Sequence, residues 1–160
     1  MRILGIDPGS LRCGFGVIEK IAGTNKFSHI THGTIILDAK KKVHERLGDL
    51  AQDLSELIKK YQPEHAVVED VFVFKNARSA LVLGQARGAV IAMLGFYNIP
   101  VSSLLPTTVK LLTAGRGQAQ KFQVAHMVAL ELDISIPQSP DASDALALAL
   151  AASVLTSCSR

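Results

Sequence analysis

Four acidic residues stand where apolar runs begin or end. Asp7 closes the run 3–6, Glu69 closes His65-Ala-Val-Val, and Asp141 and Asp144 open the long run 145–155. A carboxylate at the tip of a core element is costly to desolvate unless something pairs with it. Four of them in such positions read as oxygen ligands for hard divalent cations. On a small α/β domain, a cage of that kind points to metal-assisted hydrolysis of a phosphodiester.

Each acid also has a plainer reading. Asp141 and Asp144 lie at i and i+3, on one helix face, and Pro140-Asp-Ala-Ser-Asp144 has the form of a helix cap with an acid in the first turn. A cap can also face a metal, so both readings stand. Asp7 precedes Pro8-Gly9 and fits an Asx-turn. Glu69 fits a loop entry, although the carboxyl end of a buried strand is where open α/β sheets gather ligands. Asp70 beside it falls on the opposite face of the strand.

The basic residues are unevenly spread. The stretch 70–121 holds Lys75, Arg78, Arg87, Lys110, Arg116 and Lys121 against Asp70 as its only acid, within a chain of net charge +3. A phosphate-facing side is expected there. Phe72 and Phe74 share the segment after Glu69 with Lys75, Asn76 and Arg78. They are either a plug onto the core or stacking surfaces for an unpaired base. Gly84 and Gly88 invite the close approach of a sheet or of a symmetry-related helix. The five histidines show no metal-ligand spacing; alternation places His29 and His32 on opposite faces of a strand. Cys13 has no nearby partner and reads as a small buried hydrophobe.

The elements that must position these residues follow from periodicity. Residues 2–7, 14–19 and 26–37 read as three strands of an antiparallel meander. Val43 to Tyr61 is amphipathic, with Leu47, Leu50, Leu54, Leu57 and Ile58 on one face, and Pro63 follows it. A short buried strand over 65–69 precedes a helix over 78–97 that carries three glycines. A strand over 101–105, short helices over 106–112 and 122–132, and a last helix from Asp141 complete the chain, with a flexible basic loop at 113–118. This order predicts an α/β fold: a mixed five-stranded sheet with helices on both faces.

The 160 residues fit one domain, residues 1–160, able to bury roughly 70% of its extended surface. The sequence is 48% hydrophobic, poor in aromatics and without Trp, so the core is aliphatic. Two cysteines make no disulfide framework, the first apolar stretch is too broken for a signal peptide, and the last is too short for a bilayer. A cytoplasmic protein is expected. No phosphate-loop or complete dinucleotide fingerprint occurs.

Several segments together resemble the RuvC family of Holliday-junction resolvases. They are Ile3-Leu-Gly-Ile-Asp-Pro-Gly-Ser with Cys13-Gly-Phe-Gly, Val68-Glu-Asp-Val-Phe72, Lys75-Asn-Ala-Arg-Ser-Ala-Leu-Val-Leu-Gly-Gln-Ala-Arg-Gly88, and Asp141-Ala-Ser-Asp-Ala-Leu-Ala. The likeness runs through nearly the whole chain in the family's order. Its opening motif is shared with actin-like ATPases, which the length excludes. The resemblance implies a ribonuclease-H-like fold and a homodimer that nicks two opposing strands of four-way junction DNA. It further implies catalytic acids Asp7, Glu69, Asp141 and Asp144 holding two Mg²⁺ per subunit, with Lys121 beside them. Phe72, Lys75, Arg78, Lys110, Arg116 and Lys121 would face DNA, and a branch-migration motor of the RuvA and RuvB families would be the partner. The chain departs from the family in having Cys13 for the usual Thr and in its 113–120 loop. Two other readings remain: a resolvase-like nuclease for ribosomal-RNA precursors, and a non-catalytic junction binder.

Overall fold

A computed structural model describes residues 1–70 and 77–158, with side chains through Leu155. Five strands, β1 (Arg2–Asp7), β2 (Arg12–Lys20), β3 (Phe27–Ile36), β4 (His65–Glu69) and β5 (Val101–Leu104), form one sheet in the order β3-β2-β1-β4-β5. The first three pair antiparallel, and β4 and β5 run parallel to β1. Five helices complete the fold: α1 (Val43–Tyr61), α2 (Ala77–Phe96), α3 (Pro106–Ala114), α4 (Lys121–Leu132) and α5 (Pro140–Cys158). The mixed sheet is as expected from the sequence, and helices cover both of its faces.

Strand alternation divides the core in two. Leu4, Ile6, Val17, Ala66 and Val68 meet α1 and α2 through Leu50, Leu54, Val90 and Leu94. Ile3, Ile18 and Val67 meet α3, α4 and α5 on the other face. Helix α5 is apolar all round between Ala145 and Ala152 because it lies in the interior. It presses onto β1 and β2 where those strands have no side chain. A Cβ on Gly5 would collide with the Ala145 carbonyl, and one on Gly16 would lie 2.7 Å from Leu146 Cδ2.

Helix α2 differs. By length and composition alone it could cross a membrane, but it seats Ala86, Val90 and Leu94 in the core. Its outer face shows Leu81, Gly84, Gly88, Ala92 and Gly95 in sequence, with Phe96 at the end. Nothing lies within 4 Å of where a Cβ would stand at Gly84, Gly88 or Gly95, so these glycines do not serve packing against the sheet.

Two expectations change. His29 and His32 share a face: His32 Nδ1 and His29 Nε2 are 2.8 Å apart. The pairing of β2 with β3 skips Ile30, going from Val17–Thr31 to Ile18–His29. This one-residue bulge reverses the alternation. Burial first, and then the neighbouring ring, hold His29 below the ordinary imidazole range. The basic loop is also shorter than expected, because α3 continues through Ala114 and ends with Gly115 in the left-handed conformation at φ 71°.

Candidate active site

Strands β1 and β4 are parallel neighbours in a register that pairs Ile6 with Val68. The next residues, Asp7 and Glu69, therefore end side by side at the same edge of the sheet. Alternation sends Ile6 and Val68 toward α1 and α2, and Asp7 and Glu69 toward α5. There the second turn of α5 supplies Asp144, the first residue of α4 supplies Lys121, and α3 supplies Lys110. Together with Pro106, Val109, Val124 and Ala147 these residues line a cleft of about 260 Å³.

The electrostatics of the cleft are dominated by crowded carboxylates. Burial pushes Asp7 up to about 6, helped by the charges of Asp144 and Asp141, while a hydrogen bond with Glu69 and the charge of Lys121 oppose the shift. Glu69 rises further, to about 8, through burial and then through the charge of Asp7. Burial and mutual repulsion thus raise both carboxyls, and the pair favours holding a proton between them. Lys121 Nζ donates to Asp144 Oδ2 at 2.6 Å, and this bond raises the lysine above its ordinary value.

Asp141 is placed differently. Helix α5 starts at Pro140, so Asp141 stands inside the first turn and does not cap it. Its Oδ2 accepts from Arg12 Nε at 2.6 Å, which holds it at the rim and out of the cleft lining. Arg116 is not brought to the cleft either; it borders a separate hollow with Phe122, Gln123 and His126, because α3 and its Gly115 cap turn that loop outward. Arg78 is exposed on the first turn of α2. Phe72 and Lys75 lie outside the described residues.

Two basic residues that the sequence did not place beside the acids meet them from outside the cleft, Arg87 having been expected only in a phosphate-facing stretch. Arg12 is one; its parity with Gly14, facing the start of α5, was the available signal. Arg87 is the other. Its Nε donates to the Glu69 carbonyl at 3.0 Å, and its Nη2 reaches Ser103 Oγ at 2.7 Å and Asp70 Oδ1 at 3.2 Å. It braces the ends of β4 and β5 behind Glu69. No local sequence signal marks it, since the contact joins a helix to a strand 18 residues earlier. Asp70 meets Arg87 on the face opposite the cleft, as alternation requires.

The donor set suits a hard divalent cation: carboxylate oxygens on rigid elements, two of them pushed toward protonation by burial and then by neighbouring carboxylate charge. Among the described residues, no three acid, imidazole or thiol side chains already converge as a ligand set. Asp144 and Asp141 are instead engaged by Lys121 and Arg12.

The family model for crossover junction endodeoxyribonuclease RuvC matches residues 3–152. This chain belongs to the RuvC family. It is 45% identical to the crossover junction endodeoxyribonuclease RuvC of Xanthomonas oryzae pv. oryzae (strain MAFF 311018) over 149 residues, covering 93% of this chain and 85% of the relative. It is also 45% identical over 150 residues to the RuvC of Citrifermentans bemidjiense, covering 94% and 90%. Among solved structures, Thermus thermophilus RuvC in complex with a Holliday junction substrate superposes with a TM-score of 0.88 at 32% identity, covering 94% of this chain and 92% of that one. The sheet order and the RuvC membership agree with the ribonuclease-H-like architecture expected from the sequence.

Proposed function

We propose that this RuvC-family endodeoxyribonuclease resolves four-way DNA junctions by paired symmetric nicks, with Asp7, Glu69, Asp141 and Asp144 as the acids that hold two Mg²⁺ ions. The observation that carries this reading is the meeting of Asp7, Glu69, Asp144, Lys110 and Lys121 in one cleft. Mg²⁺, when bound, would lower the pKa of the attacking water and stabilise the departing 3′ oxygen. Asp7, on the central strand, would be among the residues that hold the metal. Lys121, which holds Asp144 at 2.6 Å, would orient water or neutralise charge gathering on the phosphate. Lys110 meets the strand from α3. Arg78, Arg116 and, from the segment after Glu69, Phe72 and Lys75 extend the DNA contact, with Phe72 stacking on a base at the opened junction centre.

Symmetric cutting of a two-fold substrate calls for two active sites related by a two-fold axis. The outer face of α2 supports a homodimer: a run of small residues lets two backbones approach, and Leu81 and Phe96, 64% and 75% exposed, flank it. The fold carries the acids near one end of the sheet and α2 on the opposite face, which leaves the cleft open to DNA. A branch-migration motor of the RuvA and RuvB families is the expected partner, and the cytoplasm, where chromosomal DNA lies, the expected compartment.

The deciding assay incubates purified protein and Mg²⁺ with a mobile four-way junction, a linear duplex and a ribosomal-RNA precursor. Paired nicks confined to the junction support the reading. Cleavage of the RNA alone, or junction binding without nicking, would replace it with one of the two alternatives.

A further inference from the structure

Arg12 opens β2 and takes no part in the cleft, yet it holds one of the four acids. The geometry around it is built. Gly14, two residues on and facing the same way, lets the start of α5 come down onto β2; a Cβ there would meet the Asp141 carbonyl and lie 3.1 Å from Asp141 Cβ. Arg12 is the side chain that meets the descending helix, through Nε and Asp141 Oδ2 at 2.6 Å. The ion pair is open to water, with the arginine 53% and the aspartate 30% exposed. A pair so exposed contributes little to stability.

The bond also leaves most of the guanidinium unused. Arginine carries five N–H donors in a planar fork suited to phosphate. One of them engages Asp141, and no further partner occurs among the described residues. Asp141 in turn lies near enough to the cleft for its charge to be felt at Asp7. A carboxylate oxygen committed to a guanidinium offers the same lone pairs that a divalent ion needs, so the two cations compete for it.

We propose that Arg12 is a positioning residue with two alternating partners: it holds Asp141 at the rim in competition with the divalent ion, and is released to a backbone phosphate of the bound strand when Asp141 turns to that ion. This rests on the nuclease reading above. The exchange couples the two ligands, because metal frees a phosphate-binding fork and phosphate draws the fork away from a metal ligand. Such coupling is reciprocal.

Two measurements that need no cleavage test it on wild type, Arg12→Gln and Arg12→Lys. The first is thermal unfolding against Mg²⁺ concentration without DNA. The second is junction binding against salt, in EDTA and in Ca²⁺. Arg12→Gln should reach half of its metal-dependent shift at several-fold lower Mg²⁺, yet bind the junction more weakly in Ca²⁺, with a salt slope shallower by about one. The gain in junction affinity from Ca²⁺ should shrink as well. Arg12→Lys, which keeps the charge, should restore most of the slope. If both variants match wild type in metal midpoint and salt slope, or lose only thermal stability, the pair is structural and the inference is overturned while the nuclease reading survives. A wild type with neither a metal-dependent shift nor junction binding overturns both.

Discussion

Asp7 and Glu69 end neighbouring strands, half-buried, and share a hydrogen bond with each other. Asp141 and Asp144 stand on the first two turns of α5, and each is bonded to a basic side chain at 2.6 Å. The strand acids are thus pushed toward sharing a proton by burial and crowding, whereas the helix acids are met by an internal cation. The difference follows from the elements. A strand end in a parallel register fixes its side chain beside that of the next strand. A helix start at the edge of the fold is within reach of long side chains from β2 and α4. On the proposed two-metal reading, a divalent ion would displace a proton from one pair and ammonium or guanidinium from the other.

The strongest way to break this contrast is to remove a strand acid. Asp7→Asn should lower junction nicking in Mg²⁺ by about 10²–10³-fold or more, while junction binding stays intact or tightens through reduced repulsion of phosphate. Nicking within a few-fold of wild type would remove Asp7 from the metal site. Glu69→Gln and Asp144→Asn should follow Asp7, with Asp141→Asn the mildest of the four.

The shared proton makes a second forecast, on stability. Asp7 and Glu69 titrate above their ordinary values in the folded protein, so folding favours their protonated forms. That contribution is complete below the ordinary carboxylate range, near pH 4, and is lost as pH rises through about 6 and about 8. In EDTA the melting temperature of wild type should therefore fall between pH 5 and pH 8. Asp7→Asn should flatten the fall and melt higher than wild type at pH 8, and added Mg²⁺ should restore the wild type there. A pH-independent melting temperature over that interval would contradict the proton-sharing arrangement.

The helix acids call for the opposite pattern. Lys121→Ala removes an ammonium that is 73% exposed, so stability should change by less than about 1 kcal/mol. Nicking should still fall by about 10²-fold if the amine acts on phosphate. Melting curves and single-turnover nicking on the same preparation separate the two effects; a large loss of stability with normal nicking would make the lysine structural.

The smallest effect is expected at Cys13, between the turn after Asp7 and Gly14. The thiol is 1% exposed and pushed up to about 12 by burial and then by the charge of Asp7. It packs among the residues under α1 and α2, on the face away from the acids. Cys13→Ala should keep nicking within about three-fold, and the peptide containing Cys13 should stay unlabelled by iodoacetamide in the folded protein. Rapid labelling would place the thiol in the site after all.

Some of this was written in local pattern. Apolar runs of four to six residues bounded by turns, and the leucine spacing of Val43 to Tyr61, specify the strands and α1 because each element's period is set by its own backbone geometry. The tip positions of Asp7 and Glu69, and the side that Asp70 takes, follow from the same alternation. Tertiary structure decided what depends on register and approach. The skipped Ile30 reversed the histidine faces, a one-residue event with no sequence mark of its own. The outward turn of Gly84 and Gly88 depended on which face of α2 the sheet accepted, where the sequence allowed either. Asp141 and Asp144, three residues apart on one helix face, went to different cations because Gly14 lets α5 descend beside Arg12 while α4 delivers Lys121 one turn further along. Spacing along a helix fixes direction; the neighbour it meets is fixed by where the rest of the chain packs.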